Sequence, residues 1–269
     1  MKQLALSFLD FQNTLPKEKT RLDEFLKLSD LIQDKNKIDS LILSGSILVN
    51  DRVVTKKGTL IHKGDHVRLR PAIKEYVSRG AFKLLKAFEY FPNLSCSDSI
   101  CLDLGASTGG FTQVLLEKGA PLVYAIDVGY GQLAQRLAND EKVRVMDRTH
   151  IKDLQWKSLD PIAKRYFVTM DLSFISLTQV FPQIERLIRE SNSDDWQGVS
   201  LVKPQFEVAG HHLESGILTD RRMQLRTVRN VWRKVKWTNP GFVFMGLCES
   251  PITGMDGNRE FLLRWCWKA

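Results

Sequence analysis

The stretch "LDLGASTGGFTQVLLEKGA", residues 102–120, decides the fold of most of this 269-residue chain. It has the pattern of a buried strand, a loop containing three glycines, and the beginning of a helix. Gly105, Gly109 and Gly110 allow the backbone to turn tightly and to approach a ligand closely. Strand, glycine loop and helix in this order are typical of the first unit of an open α/β sheet with a binding crevice at its edge.

The rest of the chain after residue 79 continues this pattern, because apolar runs alternate with helical segments. The predicted strands are "ICLDLG" (100–105), "LVYAID" (122–127), "VRVMD" (143–147), "YFVTMD" (166–171), "GVSLVK" (198–203), "FVFMGL" (242–247) and "EFLLRWCW" (260–267). Such alternation predicts a mostly parallel, doubly wound α/β sheet. The last two strands have little sequence between them and are candidates for an antiparallel pair.

An acid follows the second predicted strand. "VYAIDVG" places Asp127 about 20 residues beyond the glycine loop, where a carboxylate can hold the hydroxyls of a ribose. The loop lacks the GxGxxG spacing of dinucleotide sites. The pattern D-x-G-x-x-x-G-G with a second-strand acid resembles the S-adenosylmethionine site of class I methyltransferases. A structural glycine turn and a nicotinamide or flavin site remain alternatives.

That resemblance implies a role for each residue of the loop and its surroundings. The methionine part of the cofactor would be cupped by Gly105, Ala106, Ser107, Thr108, Gly109, Gly110 and Phe111. Asp103 would lie nearest the charged amine, and Asp127 would take the adenosine ribose. Asp147, at the end of the third strand, would sit near the adenine, although an ordinary strand-end acid fits the same position.

Composition bounds the class of protein and of partner. Hydrophobic residues make up 43% of the chain, as in globular proteins with a substantial core, and no run approaches the roughly 20 apolar residues of a membrane span. The opening residues do not form a convincing signal peptide, and the four cysteines show no zinc or CxxC spacing. We therefore expect reduced thiols, no metal and a cytoplasmic location. The net charge of +8 favours a polyanionic partner, or is simply a solvated basic surface.

Residues 21–70 form a separate small domain, set between an N-terminal extension (1–20) and a linker (71–78). "RLDEFLKLSDLI" and "KNKIDSLILSGS" predict two helices, and apolar runs around Asn50-Asp51 predict a hairpin. The pattern resembles the small α+β RNA-binding domain shared with ribosomal small-subunit protein S-four. That resemblance suggests Arg21, Lys37, Arg52, Lys56 and Lys57 as RNA contacts, with solvated surface charges as the alternative.

Four ionisable residues fall where an open α/β sheet gathers its functional groups. Lys203 ends the strand of "GVSLVKPQFEV" (198–208), and Pro204 forbids the strand from continuing. A lysine there must reach water, pair with an acid, or do chemistry. Asp171 ends the preceding strand, Glu260 begins the last one, and Lys83 lies on a helix leading into the sheet. Taken singly, each is more typical of a salt bridge than of a catalytic group.

The order K-D-K-E resembles the tetrad of FtsJ-type RNA ribose 2'-O-methyltransferases. The strings "YVSRGAFKL", "LDLGASTGGFT", "MDLSFISL", "LVKPQFEV" and "SPITGMDGNREFL" are similar to the TlyA family in particular, over residues 21–268. The resemblance implies that the protein methylates cytidine riboses in ribosomal RNA and uses S-adenosylmethionine as cofactor. It also implies that residues 79–269 form the methyltransferase domain. Lys203 would accept or polarise the 2'-hydroxyl proton, oriented by Asp171, while Lys83 and Glu260 would position the ribose.

Two other functions stay open from the sequence. One is a non-catalytic RNA- or ribosome-binding protein, and the other is a haemolysin, a name that family members also carry. A further basic segment, "DRRMQLRTVRNVWRKVKW" (220–237), predicts a helix capped by Asp220 or Thr219, with Val228, Val231, Trp232 and Val235 buried. Its basic face is either solvated or bound to phosphates. His211 and His212 are expected to be loop residues.

Overall fold

The computed structural model describes residues 9–11, 18–29, 31–32, 34–43, 45–69, 75–159, 164–254 and 256–268. The chain divides into two compact units, Met1–Glu75 and Tyr76–Ala269. The division falls inside the segment predicted as a linker, of which residues 71–74 lie outside the described residues.

In its described residues, the small unit combines two short α-helices with six three-residue strands. Its elements are β1 (Leu9–Phe11), β2 (Lys19–Arg21), α1 (Leu22–Leu28), α2 (Ile38–Leu43), β3 (Ile47–Val49), β4 (Arg52–Val54), β5 (Leu60–His62) and β6 (Val67–Leu69). One sheet has the order β1-β6-β3-β4, and β2 pairs with β5. Asn50 and Asp51, at φ 49° and 64°, form the predicted hairpin turn with left-handed residues at both positions.

The core of the small unit is formed by one face of each helix. Leu22 and Leu26 of α1 meet Ile42 of α2 and Ile47 of β3, all fully buried. Leu28, the last residue of α1, is exposed. β1 and part of β2 lie in residues 1–20, a segment predicted as an extension, yet both pair with strands of this unit. Residues 1–8 and 12–17 are outside the described residues.

The large unit is built on one seven-stranded sheet. Its elements are α3 (Ala81–Tyr90), β7 (Ile100–Leu104), α4 (Gly110–Glu117), β8 (Leu122–Ile126), α5 (Gln135–Ala138), β9 (Val143–Met146), β10 (Arg165–Met170), α6 (Leu177–Ser191), β11 (Asp195–Val202), α7 (Arg221–Thr238), β12 (Phe242–Glu249) and β13 (Phe261–Trp267). The strand order is β12-β13-β11-β10-β7-β8-β9. Strands β7 to β11 run parallel, and β13 is antiparallel to both of its neighbours.

Side-chain alternation in the central strands explains why helices cover both faces of this sheet. In β7, Leu102 and Leu104 pack on the side of α6 and α7, whereas Cys101 packs on the side of α3 and α4. All five residues of β7 are buried, as expected for a parallel strand between two helical layers. The predicted doubly wound, mostly parallel fold and its antiparallel last pair are therefore confirmed.

No helix in the described part of the chain combines the length and the apolar character needed to cross a membrane.

Candidate active site

A cavity of about 400 Å³ opens in the large unit at the carboxyl ends of the parallel strands. The glycine loop after β7 forms one wall. Six of the predicted cofactor residues line it: Gly105, Ala106, Ser107, Thr108, Gly110 and Phe111. The other four, which are Asp103, Gly109, Asp127 and Asp147, lie outside the lining. All four predicted tetrad residues line the same cavity.

The tetrad comes together because its members end or precede neighbouring elements. Asp171 follows β10, Lys203 follows β11, and Glu260 precedes β13, which are adjacent strands. Since β13 is antiparallel to β11, its beginning lies at the same edge as the ends of β10 and β11. Lys83 reaches this edge from the first turn of α3.

Ion pairs connect the four side chains into one network. Lys83 Nζ lies 2.7 Å from Glu260 Oε2 and 3.3 Å from Asp171 Oδ2. Lys203 Nζ lies 2.8 Å from Asp171 Oδ1. Glu260 is only 2% exposed, and burial raises the pKa of its carboxyl while Lys83 opposes that change. Two buried cations thus face two carboxylates, which balances the charge of the cavity floor.

A serine that the sequence did not single out completes the surroundings of Lys203. Ser173 Oγ lies 2.9 Å from Lys203 Nζ, two residues beyond Asp171. It belongs to the loop that follows β10, and its position in "MDLSFISL" is the only sequence signal that marks it. With Asp171 and Ser173, the Lys203 ammonium has two fixed contacts, which restrict a flexible side chain to one orientation.

The glycine loop and the tetrad are packed directly against each other. Gly105 has φ +82°, and a Cβ placed on it would lie 2.5 Å from the backbone oxygen of Asp171. The Asp171 N–H donates to the Leu104 carbonyl at 3.0 Å. A side chain at position 105 would therefore push the β10 loop away, and with it the carboxylate that holds both lysines.

Asp127 is tied to the glycine loop. Its carboxylate accepts hydrogen bonds from the N–H groups of Ser107 (2.8 Å) and Gly129 (2.7 Å). Asp147, which follows the next strand β9, accepts a hydrogen bond from the Gly131 N–H at 2.8 Å. Each carboxylate oxygen can accept more than one hydrogen bond, so Asp127 retains acceptor capacity for ribose hydroxyls. The loop and this acid fit an adenosyl cofactor bound across the strand ends.

Asp103 is completely buried and faces the α3–α4 side of the sheet. Its two oxygens accept from the hydroxyls of Thr112 (2.7 Å) and Thr169 (2.8 Å). Burial raises the pKa of Asp103 to about 6. These contacts join the strand before the glycine loop to the first turn of the helix after it. The predicted contact of Asp103 with a cofactor amine stays a prediction.

Besides Phe111 of the glycine loop, the aromatic residues Phe174 and Phe206 lie at the cavity. Phe174 is 89% exposed and has φ +63°, and its ring centroid lies 5.0 Å from that of Phe206. Both rings belong to the cavity lining. An exposed aromatic surface of this kind suits the stacking of an unpaired base.

The predicted RNA contacts of the small unit fall into two groups. Arg21 makes two hydrogen bonds with Asp23, Lys37 lies 3.6 Å from Asp34, and Lys57 pairs with Asp39. Arg52 and Lys56 are exposed and carry no side-chain hydrogen bond or ion pair among the residues that the structure describes. Across those residues, no three His, Cys, Asp or Glu side chains form a metal-ligating group.

Comparison with known proteins agrees with this geometry. A family model described as FtsJ-like methyltransferase matches residues 76–265, and an S4 domain model matches residues 14–77. The 16S/23S rRNA (cytidine-2'-O)-methyltransferase TlyA of Mycobacterium tuberculosis is 36% identical, covering 91% of this chain and 89% of its own. Hemolysin A of Brachyspira hyodysenteriae is 38% identical, covering 90% and 98%.

A solved structure described as a hemolysin from Streptococcus thermophilus is similar over both units. It superimposes with a TM-score of 0.66 at 34% identity, covering 93% of this chain and 89% of its own. The resemblance predicted from the sequence strings is thereby confirmed.

Proposed function

The chain belongs to the FtsJ-like methyltransferase family, and from this premise we propose that it transfers a methyl group from S-adenosylmethionine to the ribose 2'-oxygen of a cytidine in ribosomal RNA. The observation that carries the proposal is the ion-pair network of Lys83, Asp171, Lys203 and Glu260 beside the glycine loop. The relative from Mycobacterium tuberculosis, whose name includes this reaction, supports the choice of substrate.

S-adenosylmethionine, when bound by residues 105–111 and Asp127, supplies an activated methyl group. The remaining task of the chain is to place a ribose hydroxyl in line with that group and to handle its proton. We assign to Lys203 the role of accepting or polarising the proton of the 2'-hydroxyl. Asp171 and Ser173 hold its ammonium in place. Lys83 and Glu260 position the ribose. Correct placement of two reactants supplies most of the rate enhancement in such a site.

The small unit has the complementary task of binding RNA. Its S4 domain match and its exposed Arg52 and Lys56 support this assignment. Phosphate neutralisation by basic side chains provides affinity without selecting a sequence. Because ribosomal RNA is the proposed substrate, we also propose that the protein acts in the cytoplasm.

The test is methyl transfer to ribosomal RNA taken from a strain that lacks the gene. The full-length protein and tritiated S-adenosylmethionine should label this RNA, and the labelled nucleotide should resist alkaline hydrolysis, because a 2'-O-methyl group blocks the attack of the 2'-oxygen. Label in a base, or no label in either subunit, would contradict the proposal. Leakage of liposomes by the pure protein without any methyl transfer would favour the haemolysin function.

A further inference from the structure

Helix α7 carries a row of basic side chains along one face. Arg222, Arg226, Arg229 and Arg233 are separated by four, three and four residues, and all are exposed. This spacing aligns them on one side of a helix, and Trp237, four residues later, continues the row. Trp237 is 88% exposed. We call these five residues the arginine row; it is about 22 Å long at 1.5 Å per residue.

Among the residues that the structure describes, no acid pairs with the four arginines. Within the part of the chain that the structure describes, no hydrogen bond or ion pair reaches their side chains, and α7 contains no Asp or Glu. The neighbouring helix α6 differs, because Arg186 pairs with Glu190 and Arg189 with Glu185 at i,i+4 spacing. Like charges at this spacing destabilise a helix. The row therefore keeps four uncompensated charges together at a cost to the fold.

The other side of α7 is already used by the core. Val228, Val231 and Val235 are buried against the sheet and α6. A helix that lies in a membrane surface needs a broad apolar face for the acyl region, and α7 has none free. Charge complementarity favours a polyanion with regularly spaced charges. Successive arginines lie about one turn, 5.4 Å, apart, which is close to the spacing of phosphates along a nucleic-acid strand.

The beginning of α7 is bonded to the wall of the cavity. Gln224 Nε2 donates to the Leu218 carbonyl (2.6 Å), and the Leu218 N–H donates to Asn258 Oδ1 (3.0 Å). The Asn258 carbonyl accepts from the N–H of Gly254, which lines the cavity. The arginine row thus starts at an element fixed to the proposed acceptor site and leads away from it.

We propose that the arginine row binds the phosphate backbone of the RNA substrate on one side of the modified nucleotide, with an unpaired base stacked on Trp237. The inference rests on the proposed function for the identity of the RNA. Arginine suits this task because its planar guanidinium binds phosphate oxygens through two hydrogen bonds. Base stacking on an exposed aromatic side chain adds affinity that does not depend on sequence.

The test compares three full-length proteins: wild type, R226Q/R229Q/R233Q, and the control K142Q/K152Q/K157Q. The control removes the same charge from three exposed lysines of the same unit. Binding of a fluorescein-labelled single-stranded RNA is followed by anisotropy at several salt concentrations. The arginine variant should bind about 10- to 100-fold more weakly near 0.1 M salt, and its slope of log affinity against log salt should be shallower by about 2.

Trp237 is tested separately on the same RNA. W237A should weaken binding about fivefold or more, and W237F should stay within about threefold of wild type, because a phenyl ring also stacks on a base. Equal affinities for all four variants and wild type would overturn the proposal. So would a control variant as weak as the arginine variant, because net charge alone would then explain binding.

The assay separates this proposal from the proposed function. The anisotropy assay measures RNA binding and requires no methyl transfer. It therefore tests whether the arginine row binds RNA even if ribosomal RNA is not methylated. If the arginine variant binds RNA like wild type but no longer sediments with phosphatidylglycerol vesicles, the row is a membrane-binding surface and the RNA assignment is wrong.

Discussion

Lys83 and Lys203 share one counter-ion: their ammonium groups lie 3.3 and 2.8 Å from the two oxygens of the Asp171 carboxylate. The lysines have different second partners. Lys83 contacts Glu260, which is buried, whereas Lys203 contacts the hydroxyl of Ser173. Lys83 is therefore placed between two carboxylates, while Lys203 has one carboxylate and one neutral partner. This asymmetry supports our proposal that Lys203 handles the proton and that Lys83, together with Glu260, positions the ribose.

Replacing Lys203 should remove catalysis and leave cofactor binding intact. Lys203→Ala should lower kcat at least 10²-fold, the usual range for a lost proton-transfer group. Affinity for S-adenosylmethionine should stay within about twofold, since the proposed cofactor ligands are residues 105–111 and Asp127. Single-turnover methyl transfer and calorimetry measure the two quantities. Lys152→Ala, an exposed lysine of the same unit, is the control. A Lys203→Ala enzyme with near-normal turnover would contradict the assignment.

Ser173 should act through the orientation of Lys203. Ser173→Ala removes a hydrogen bond to a charged group, which is worth about 1.5–3 kcal/mol, so kcat should fall at least about tenfold. KM for RNA should change little. Ser173→Thr keeps the hydroxyl and should recover most of the loss. If both variants turn over like wild type, Asp171 alone orients Lys203.

Replacing Asp127 should weaken cofactor binding rather than slow the methyl-transfer step. Asp127→Ala removes the acceptor proposed for the ribose hydroxyls and the partner of the Ser107 N–H. Affinity for S-adenosylmethionine should decrease by about 1–3 kcal/mol, measured by calorimetry without RNA. Glu141→Ala, at an exposed acid of the same unit, should bind like wild type. An unchanged affinity of Asp127→Ala would mean that another group holds the ribose.

Asp103 should make stability depend on pH. Burial raises its pKa to about 6, whereas an unfolded chain titrates near 3.8. Between these values the folded protein binds the proton and the unfolded chain does not, so stability falls as the pH rises. This loss of folding stability, which comes from ionising Asp103 in the folded protein, is essentially complete above about pH 6 and amounts to about 3 kcal/mol.

Urea unfolding of wild type and Asp103→Asn measures this cost. The difference in unfolding free energy between the two proteins should shift by about 2.4 kcal/mol in favour of the variant from pH 4 to pH 7, because the unfolded carboxyl is already partly ionised at pH 4. Asp194→Asn, at an exposed position, serves as the control. A difference that does not change with pH would show that Asp103 titrates alike in both states.

Much of the catalytic unit could be predicted because its signals are local. The strand ends at Asp171 and Lys203 follow from apolar runs and from Pro204, and parallel strands bring their ends to one edge. The partners of Asp103 could not be predicted. Thr112 and Thr169 are 57 residues apart and meet Asp103 only through the register of β10 on β7 and the docking of α4.

The small unit was harder to predict for a different reason. Its strands have three residues each, too few to show an alternating pattern, so β1 and β2 gave no signal in residues 1–20. The ion pairs of this unit also could not be predicted from the sequence. Lys57 and Asp39 are 18 residues apart and meet only in the folded unit. The five basic residues chosen from the sequence therefore differ in whether an acidic side chain pairs with them, and only the structure shows this difference.

That difference leads to the last prediction. Arg21, Lys37 and Lys57 have acidic partners, which an RNA phosphate would have to displace, whereas Arg52 and Lys56 are free among the described residues. The full-length variant R52Q/K56Q should therefore bind folded ribosomal RNA with a salt slope shallower by about 2, since each lost phosphate contact lowers the slope by about 1. Its kcat at saturating RNA should be unchanged, because the tetrad lies in the other unit. R21Q/K37Q removes the same charge and should change the slope less. Equal slopes for the two double variants would mean that the ion pairs open on binding, and that all five residues contribute as the sequence alone suggests.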